Sequence, residues 1–370
     1  MTSTRSLLAW YDAHRRELPW RATREPWPVW VSEVMLQQTR VETAVPYFER
    51  FLTRFPTPEA LATAPTEEVL AAWSGLGYYR RARLLQEAAR EVVAGGSGIP
   101  TAASELARLP GIGPYTAAAI ASIAFDEPVP VLDGNVERVL ARFLAEPEPV
   151  ALAATRRRLL ALAAELLDRT RPGDSNQALM ELGATLCQPR APRCGGCPLA
   201  PGCRSRAAGT MSNFPVRLAR APARRICQVA ALAERQGAIL LFRRDESEPQ
   251  LAGLWELPLV EARRRDVASR RLGARFGGSW RLVERLAAVR HAITDRSFAI
   301  TAYRAEYSPR GGEAADVAEG VEAGWFAPES AEKLALSGAA RKLLARLAGG
   351  VDRRSAARRT APAPVCSSAP

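Results

Sequence analysis

Apolar residues recur through the first 203 positions at the three-to-four spacing of amphipathic helices, in Leu- and Ala-rich stretches punctuated by Pro and Gly. From Ser6 to about Cys203 this pattern predicts helix after helix, an all-α unit. Within it, Ser104 to Arg108 reads as a short helix, Leu109-Pro110-Gly111-Ile112-Gly113 as a tight turn, and Pro114 to Phe125 as a second helix with proline at its first position. Val29 to Thr39 predicts an apolar helix interrupted by one acid, Glu33, with Gln37 a turn further along the same face. Val136 to Leu144 predicts another, with Asp133 just ahead of it where an Asp is usually an N-cap. Periodicity is then lost from Arg204 to Arg225, which holds six arginines, no acid, Gly209 and two prolines, the make-up of a basic linker. Beyond it, Cys227 to Leu232, Ala238 to Phe242, Leu282 to Arg290 and Ser297 to Tyr307 run as short β-rich segments, with helical stretches at Arg264 to Leu272 and Ala331 to Leu347. The expected architecture is an all-α domain over 1–204, a linker over 205–225, an α+β domain over 226–349, and over 350–370 a tail of Arg, Ala, Ser and Pro that is too poor in apolar residues to order.

Composition agrees with two cores, since 370 residues exceed what one usually organises. A net charge of +12 suits a polyanionic partner, nucleic acid first and an anionic membrane second. No apolar run approaches the roughly 18 residues of a spanning helix, and Met1 to Leu18 lacks the apolar stretch of a signal peptide, so the expectation is a cytoplasmic protein, nucleoid-associated if bacterial, with no membrane role. Of six cysteines, four fall within seventeen residues: Cys187, Cys194, Cys197 and Cys203, spaced C-x6-C-x2-C-x5-C. Such crowding favours metal ligation over disulfides, and Gly195, Gly196, Pro198 and Gly202 supply the turns that wrap a chain around a centre. Spacing alone admits an all-cysteine zinc site and a 4Fe-4S cluster equally. The only two histidines, His14 and His291, lie far from the cysteines in sequence.

Three further features carry chemistry. The helix, turn and helix around Gly111, Ile112 and Gly113 form a helix-hairpin-helix, whose glycines let the backbone approach a ligand and whose free amides meet a phosphate without reading sequence; an ordinary αα-corner is the alternative. Glu33 stands alone among Trp30, Val31, Val34, Met35 and Leu36, so burial would raise its pKa toward that of a general acid, unless it lies on a solvated stripe. Asp133 reads locally as a helix cap, and a functional role for it needs more than spacing.

These residues converge on a family. LPWR (Leu18 to Arg21), SEVMLQQT (Ser32 to Thr39), GLGYYRRAR (Gly75 to Arg83), LPGIGPYTA (Leu109 to Ala117), LDGNVERVLAR (Leu132 to Arg142), NQALMELGA (Asn176 to Ala184) and the cysteine spacing follow one another as in the A/G-specific adenine DNA glycosylases, the MutY family within the endonuclease III superfamily. The resemblance runs nearly end to end. It implies a helix-hairpin-helix glycosylase domain with an iron-sulfur loop, followed by a Nudix-like domain, and an enzyme that flips adenine from duplex DNA opposite 8-oxoguanine or guanine and hydrolyses its glycosidic bond. It implies Glu33 as the acid that protonates the base, Asp133 as the carboxylate facing the sugar, and Asn135 and Tyr115 as their polar contacts. Trp20, Arg21, Leu36 and Gln177 match the adenine pocket, and Gln38 and Tyr78 match residues that fill the stack near the opposite base. The cysteines are implied to hold one 4Fe-4S cluster, and the partner to be duplex DNA bearing an A:8-oxoguanine or A:G mispair, bound by a monomer.

Three features refine the expectation. Bifunctional relatives place a Schiff-base lysine where this chain has Tyr115, so base removal without strand cleavage is implied. In the second domain Gly253 to Pro258 is the clearest Nudix-like anchor, yet Ala262 to Phe276 offers Asp266 alone among six arginines, too little acid to hold magnesium for hydrolysis. The family's Phe-Ser-His loop for 8-oxoguanine aligns with Ile293-Thr294-Asp295, where Thr294 keeps a hydroxyl and Asp295 replaces the histidine. The competing functions are a bifunctional pyrimidine-lesion glycosylase and AP lyase, or a non-catalytic DNA-damage binder.

Overall fold

The computed structural model describes residues 2–219, 222–245, 247–248, 251–293, 295–309 and 322–349; the tail expected to be disordered and Thr294 lie outside them. The chain forms two compact units, Met1–Ala64 with Arg83–Arg220, and Pro65–Ala82 with Ala221–Pro370.

The first unit is helical, as its periodicity predicts. Its elements are α1 (Thr2–His14), α2 (Pro26–Leu36), α3 (Val41–Arg54) and α4 (Pro58–Thr63); after α5 (Thr66–Ala72), which belongs to the second unit, come α6 (Arg80–Gly95), α7 (Ala103–Leu106), α8 (Pro114–Phe125), α9 (Gly134–Leu144), α10 (Ala153–Glu165), α11 (Pro172–Thr185) and α12 (Arg204–Ala207). Helix α8 lies at the centre, buried from Thr116 to Ile123, and its run of alanines leaves room for α2 and α11 to pack on it. Gly183 of α11 lies so close to the first turn of α9 that a Cβ there would stand 2.7 Å from the Asn135 Cβ. Asn176, also on α11, accepts from the Val131 amide (3.1 Å) and donates to the Val129 carbonyl (2.8 Å), fixing the segment that delivers Asp133.

In the second unit β1 (Arg224–Arg235), β2 (Ala238–Arg243), β3 (Trp255–Glu256), β4 (Leu259–Glu261), β5 (Ser279–Ile293), β6 (Arg296–Ser308) and β7 (Ala323–Phe326) form a mixed sheet ordered β3-β2-β1-β6-β5, with β4 on β1 and β7 on β2. Strands β1 and β6 run parallel; the other pairs are antiparallel. Alternation along β1 builds two cores: Val229, Ala231 and Ala233 pack with Ala268, Leu272 and Phe276 of α13 (Arg265–Phe276), and Ile226, Ala230 and Leu232 pack with Ala339, Ala340 and Leu343 of α14 (Gly338–Gly349).

Three expectations need correction. Much of the supposed linker is folded: Arg204–Ala207 is helical, Arg142 donates to the carbonyls of Met211 (2.9 Å) and Phe214 (3.1 Å), and the Val150 amide bonds the Val216 carbonyl. A buried guanidinium needs acceptors, and this segment supplies them. The helix expected from Ala331 to Leu347 is interrupted, because Leu336 bridges to Trp255 and Ser337 caps a new start by accepting from the Ala340 amide at 3.1 Å. Helix α2 ends at Leu36 rather than Thr39, since Gln38 takes a left-handed φ of +58°.

Candidate active site

Four elements deliver the predicted side chains to one cavity of about 610 Å³ in the helical unit. Helix α2 brings Glu33 and Leu36, the first turn of α8 brings Tyr115, the start of α9 brings Asp133 and Asn135, and α11 brings Gln177. Trp20 and Arg21, on a short 3-10 turn over Pro19–Arg21, and Gln38 complete the set. Sequence analysis missed other residues of its wall, among them Arg16, Glu137, Arg156, Met180 and Glu181. Glu181 carries a signal like the one that marks Glu33: an acid within an apolar stretch, Ala178 to Ala184, here one turn beyond Gln177.

Glu33 is 6 % exposed. Burial pushes its pKa from the ordinary 4.5 up to about 7, against the pull of the Tyr115 hydroxyl, while the Asp133 charge adds to the rise and Arg21 lowers it. Tyr115 donates to Glu33 Oε2 at 2.8 Å. The tyrosine pKa is pushed upward by burial and by both carboxylates, so it remains a donor. Asp133 is the N-cap its position suggests and also a wall of the cavity. Its Oδ1 accepts from the Asn135 (3.0 Å) and Val136 (2.7 Å) amides and its Oδ2 from Asn135 Nδ2 (2.9 Å). Burial raises the Asp133 pKa, and these three bonds oppose the rise. A neutral-range carboxyl facing a carboxylate held by donors is an acid and anion pair in one water-accessible pocket.

The hairpin is present. Gly111 adopts φ +75°, with space for a Cβ denied by Leu84 at 2.7 Å, and Gly113 caps α8 ahead of Pro114. The Tyr115 and Thr116 amides fall in the helix's first turn, where no intrahelical carbonyl reaches them. Ile112, 6 % exposed, anchors the turn in the core.

Cys187, Cys194, Cys197 and Cys203, all free thiols, line one hollow of about 30 Å³. Burial pushes the Cys197 thiol up to about 11, so a thiolate there needs a cationic centre beside it. Arg142 donates to the Gln188 (2.7 Å) and Pro189 (2.9 Å) carbonyls and to Cys187 Sγ (3.4 Å). The donor set therefore fits a multi-thiolate metal group.

In the second unit, Tyr78 is 43 % exposed with φ +50°. Asp295 lies at the β5–β6 turn, exposed, its carbonyl accepting from the Arg224 amide at 2.8 Å. Asp266, the sole acid of α13, pairs with Arg264. Among the described residues no helix is long and apolar enough to cross a membrane.

A helix-hairpin-helix beside a pocket in which the raised Glu33 carboxyl shares the wall with Asp133 defines a base-excision class, and the comparisons agree. Residues 31–163 match the HhH-GPD superfamily of base excision DNA repair proteins and residues 228–346 match the NUDIX domain. A solved thermostable thymine-DNA glycosylase is similar to 55 % of this chain and 95 % of its own at a TM-score of 0.52 and 28 % identity. The adenine DNA glycosylase of Mycolicibacterium smegmatis is 44 % identical over 67 % of this chain and 84 % of its own, and that of Arabidopsis thaliana 44 % identical over 69 % and 46 %. The chain belongs to the adenine DNA glycosylase family. It spans about half the length of the plant relative and about 60 % of the rat one.

Proposed function

We propose that this protein is a monofunctional glycosylase that extrudes adenine paired with 8-oxoguanine or guanine from duplex DNA and hydrolyses its glycosidic bond, leaving an abasic site. The observation that carries the proposal is the neutral-range carboxyl of Glu33, bonded by Tyr115 and facing Asp133 in one cavity. A base inside a duplex is inaccessible, so it must be flipped into the pocket, while the hairpin amides hold backbone phosphate. Protonated Glu33 donates to adenine N7, which turns the base into a neutral leaving group. Asp133, kept in place by the Asn135 and Val136 donors, stabilises or briefly traps the oxocarbenium-like sugar while water is delivered. Tyr115 has no amine to form a Schiff base, so no strand cleavage follows.

Cys187, Cys194, Cys197 and Cys203 would hold one 4Fe-4S cluster, whose contribution when bound is a rigid centre for the loop they span. The Nudix-like domain acts as a reader of the opposite base through the loop containing Asp295, without hydrolase chemistry, since α13 offers no carboxylate set for magnesium. Adenine release from an A:8-oxoguanine duplex, scored by alkali cleavage of the abasic strand, tests the proposal. Intact protein that releases no adenine would refute it, and alkali-independent nicking would refute the monofunctional part.

A further inference from the structure

Helix α11 presents two polar side chains to the cavity one turn apart, Gln177 and Glu181. The Glu181 side chain has no exposed surface, yet burial does not protonate it: hydrogen bonds from Arg16 and Arg21 outweigh desolvation and hold its pKa below the ordinary value. Arg16 grips both carboxylate oxygens, Nε to Oε1 at 2.7 Å and Nη2 to Oε2 at 2.9 Å, and adds its amide at 3.2 Å. Arg21 Nη2 reaches Oε2 at 2.8 Å. The rest of Arg21 is equally committed: Nη1 donates to the Arg16 carbonyl, the guanidinium lies over the Tyr11 ring, and Nε donates to Gln177 Oε1 at 3.2 Å. That last bond fixes the amide. A flipped Gln177 would set its N–H2 against the Arg21 N–H, donor facing donor, so its Nε2 must turn away from Arg21.

We propose that Glu181 is a positioning residue for base selection: by locking Arg21 against Gln177 it dictates which edge of the Gln177 amide meets the flipped base. The inference rests on the adenine-glycosylase reading. A locked amide favours one pattern of base donors and acceptors; an amide free to rotate serves adenine and a 6-oxopurine alike, because their six-membered rings differ in which atoms donate.

The test uses the full-length, metal-loaded protein under single-turnover conditions, with adenine or hypoxanthine opposite 8-oxoguanine. In Glu181→Gln, loss of the charge-assisted bonds is expected to slow adenine release about 10- to 100-fold and to lower the adenine-to-hypoxanthine rate ratio about tenfold, with affinity for undamaged duplex unchanged. Gln177→Ala is expected to reproduce the lower ratio, and the double variant to fall no further than the worse single one. A wild-type ratio in Glu181→Gln, or rate losses that multiply in the double variant, would overturn the proposal in favour of a purely structural role. If Glu181→Gln does not fold, Arg21→Lys takes its place, keeping a charge beside Glu181 but losing the Nε bond; an unchanged ratio there overturns the proposal equally. Wild-type protein that releases no adenine would instead sink the functional reading, a distinguishable failure.

Discussion

The sharpest test of the site is Glu33→Gln, which should inactivate the enzyme and stabilise it in a pH-dependent way. The glutamate pKa is carried from 4.5 to about 7, some 2.5 units, and at 1.36 kcal/mol per unit the buried ionised carboxylate costs ~3 kcal/mol. Because the folded pKa is the raised one, the protonated acid's favourable contribution is complete below pH 4.5 and is lost as pH rises through 7. Roughly 1.4 kcal/mol of it is gone by pH 5.5 and all of it by pH 8.5. Glutamine keeps an acceptor for Tyr115 and has no charge to desolvate. Its advantage over wild type should therefore grow by ~2 kcal/mol between pH 5.5 and 8.5, roughly 4–8 °C in melting temperature for a unit of this size. Paired melts at the two pH values measure this, and adenine release, expected to fall about 10²- to 10⁴-fold, confirms the loss of the acid. A stability difference that does not change with pH, or a wild type that is the more stable at pH 8.5, would refute burial as the source of the shift.

Other expectations are as direct. Asp133→Asn should leave the melting temperature within a few degrees, because asparagine caps a helix about as well as aspartate, while single-turnover release falls about 10²-fold or more. Gly111→Ala should cost about 1–2 kcal/mol for the left-handed backbone alone, with the Leu84 clash in addition, and weaken binding to undamaged duplex; wild-type melting and affinity would argue against the hairpin's role. Borohydride should trap no covalent complex with the wild type, and trapping would show an amine nucleophile that Tyr115 does not provide. Metal analysis should find about four irons per chain and Cys197→Ser should lose the visible absorbance, whereas zinc without iron would overturn the cluster.

Periodicity made the helical unit legible: the bounds of α8 are those its proline and apolar run predict, and α9 lies where Asp133 suggests a cap. It failed where tertiary partners decide. The two-residue strand Trp255–Glu256 is too short to carry an alternation, and exists because Phe242 and Arg243 pair with it. The basic segment after Arg204 looks like a linker because its partner is an arginine buried far upstream. Glu33 was legible because an acid in an apolar helix conflicts with local expectation, and such conflicts concentrate at functional sites. Glu181 makes the same conflict, but its meaning depends on Arg16 and Arg21, which arrive from the opposite end of the unit.

The two constellations that looked separate in sequence, the carboxylates and the cysteines, meet on α9. Its first turn holds Asp133 and Asn135; one turn on, Arg138 donates to Asn135 Oδ1 (2.9 Å), to the Gly183 carbonyl (2.8 Å) and to the Cys187 carbonyl (2.8 Å); a further turn on, Arg142 takes the carbonyls that follow Cys187. A buried guanidinium bonded through all three of its nitrogens cannot shift without breaking several charge-assisted bonds at once, each worth about 1.5–3 kcal/mol. The orientation of Asn135, and through it the placement of Asp133, is therefore tied to the backbone at the first cysteine. A cysteine loop has no need to reach the cavity to matter for its geometry: by fixing where Cys187 sits, it fixes one end of the chain of bonds that places Asp133 in the cavity wall.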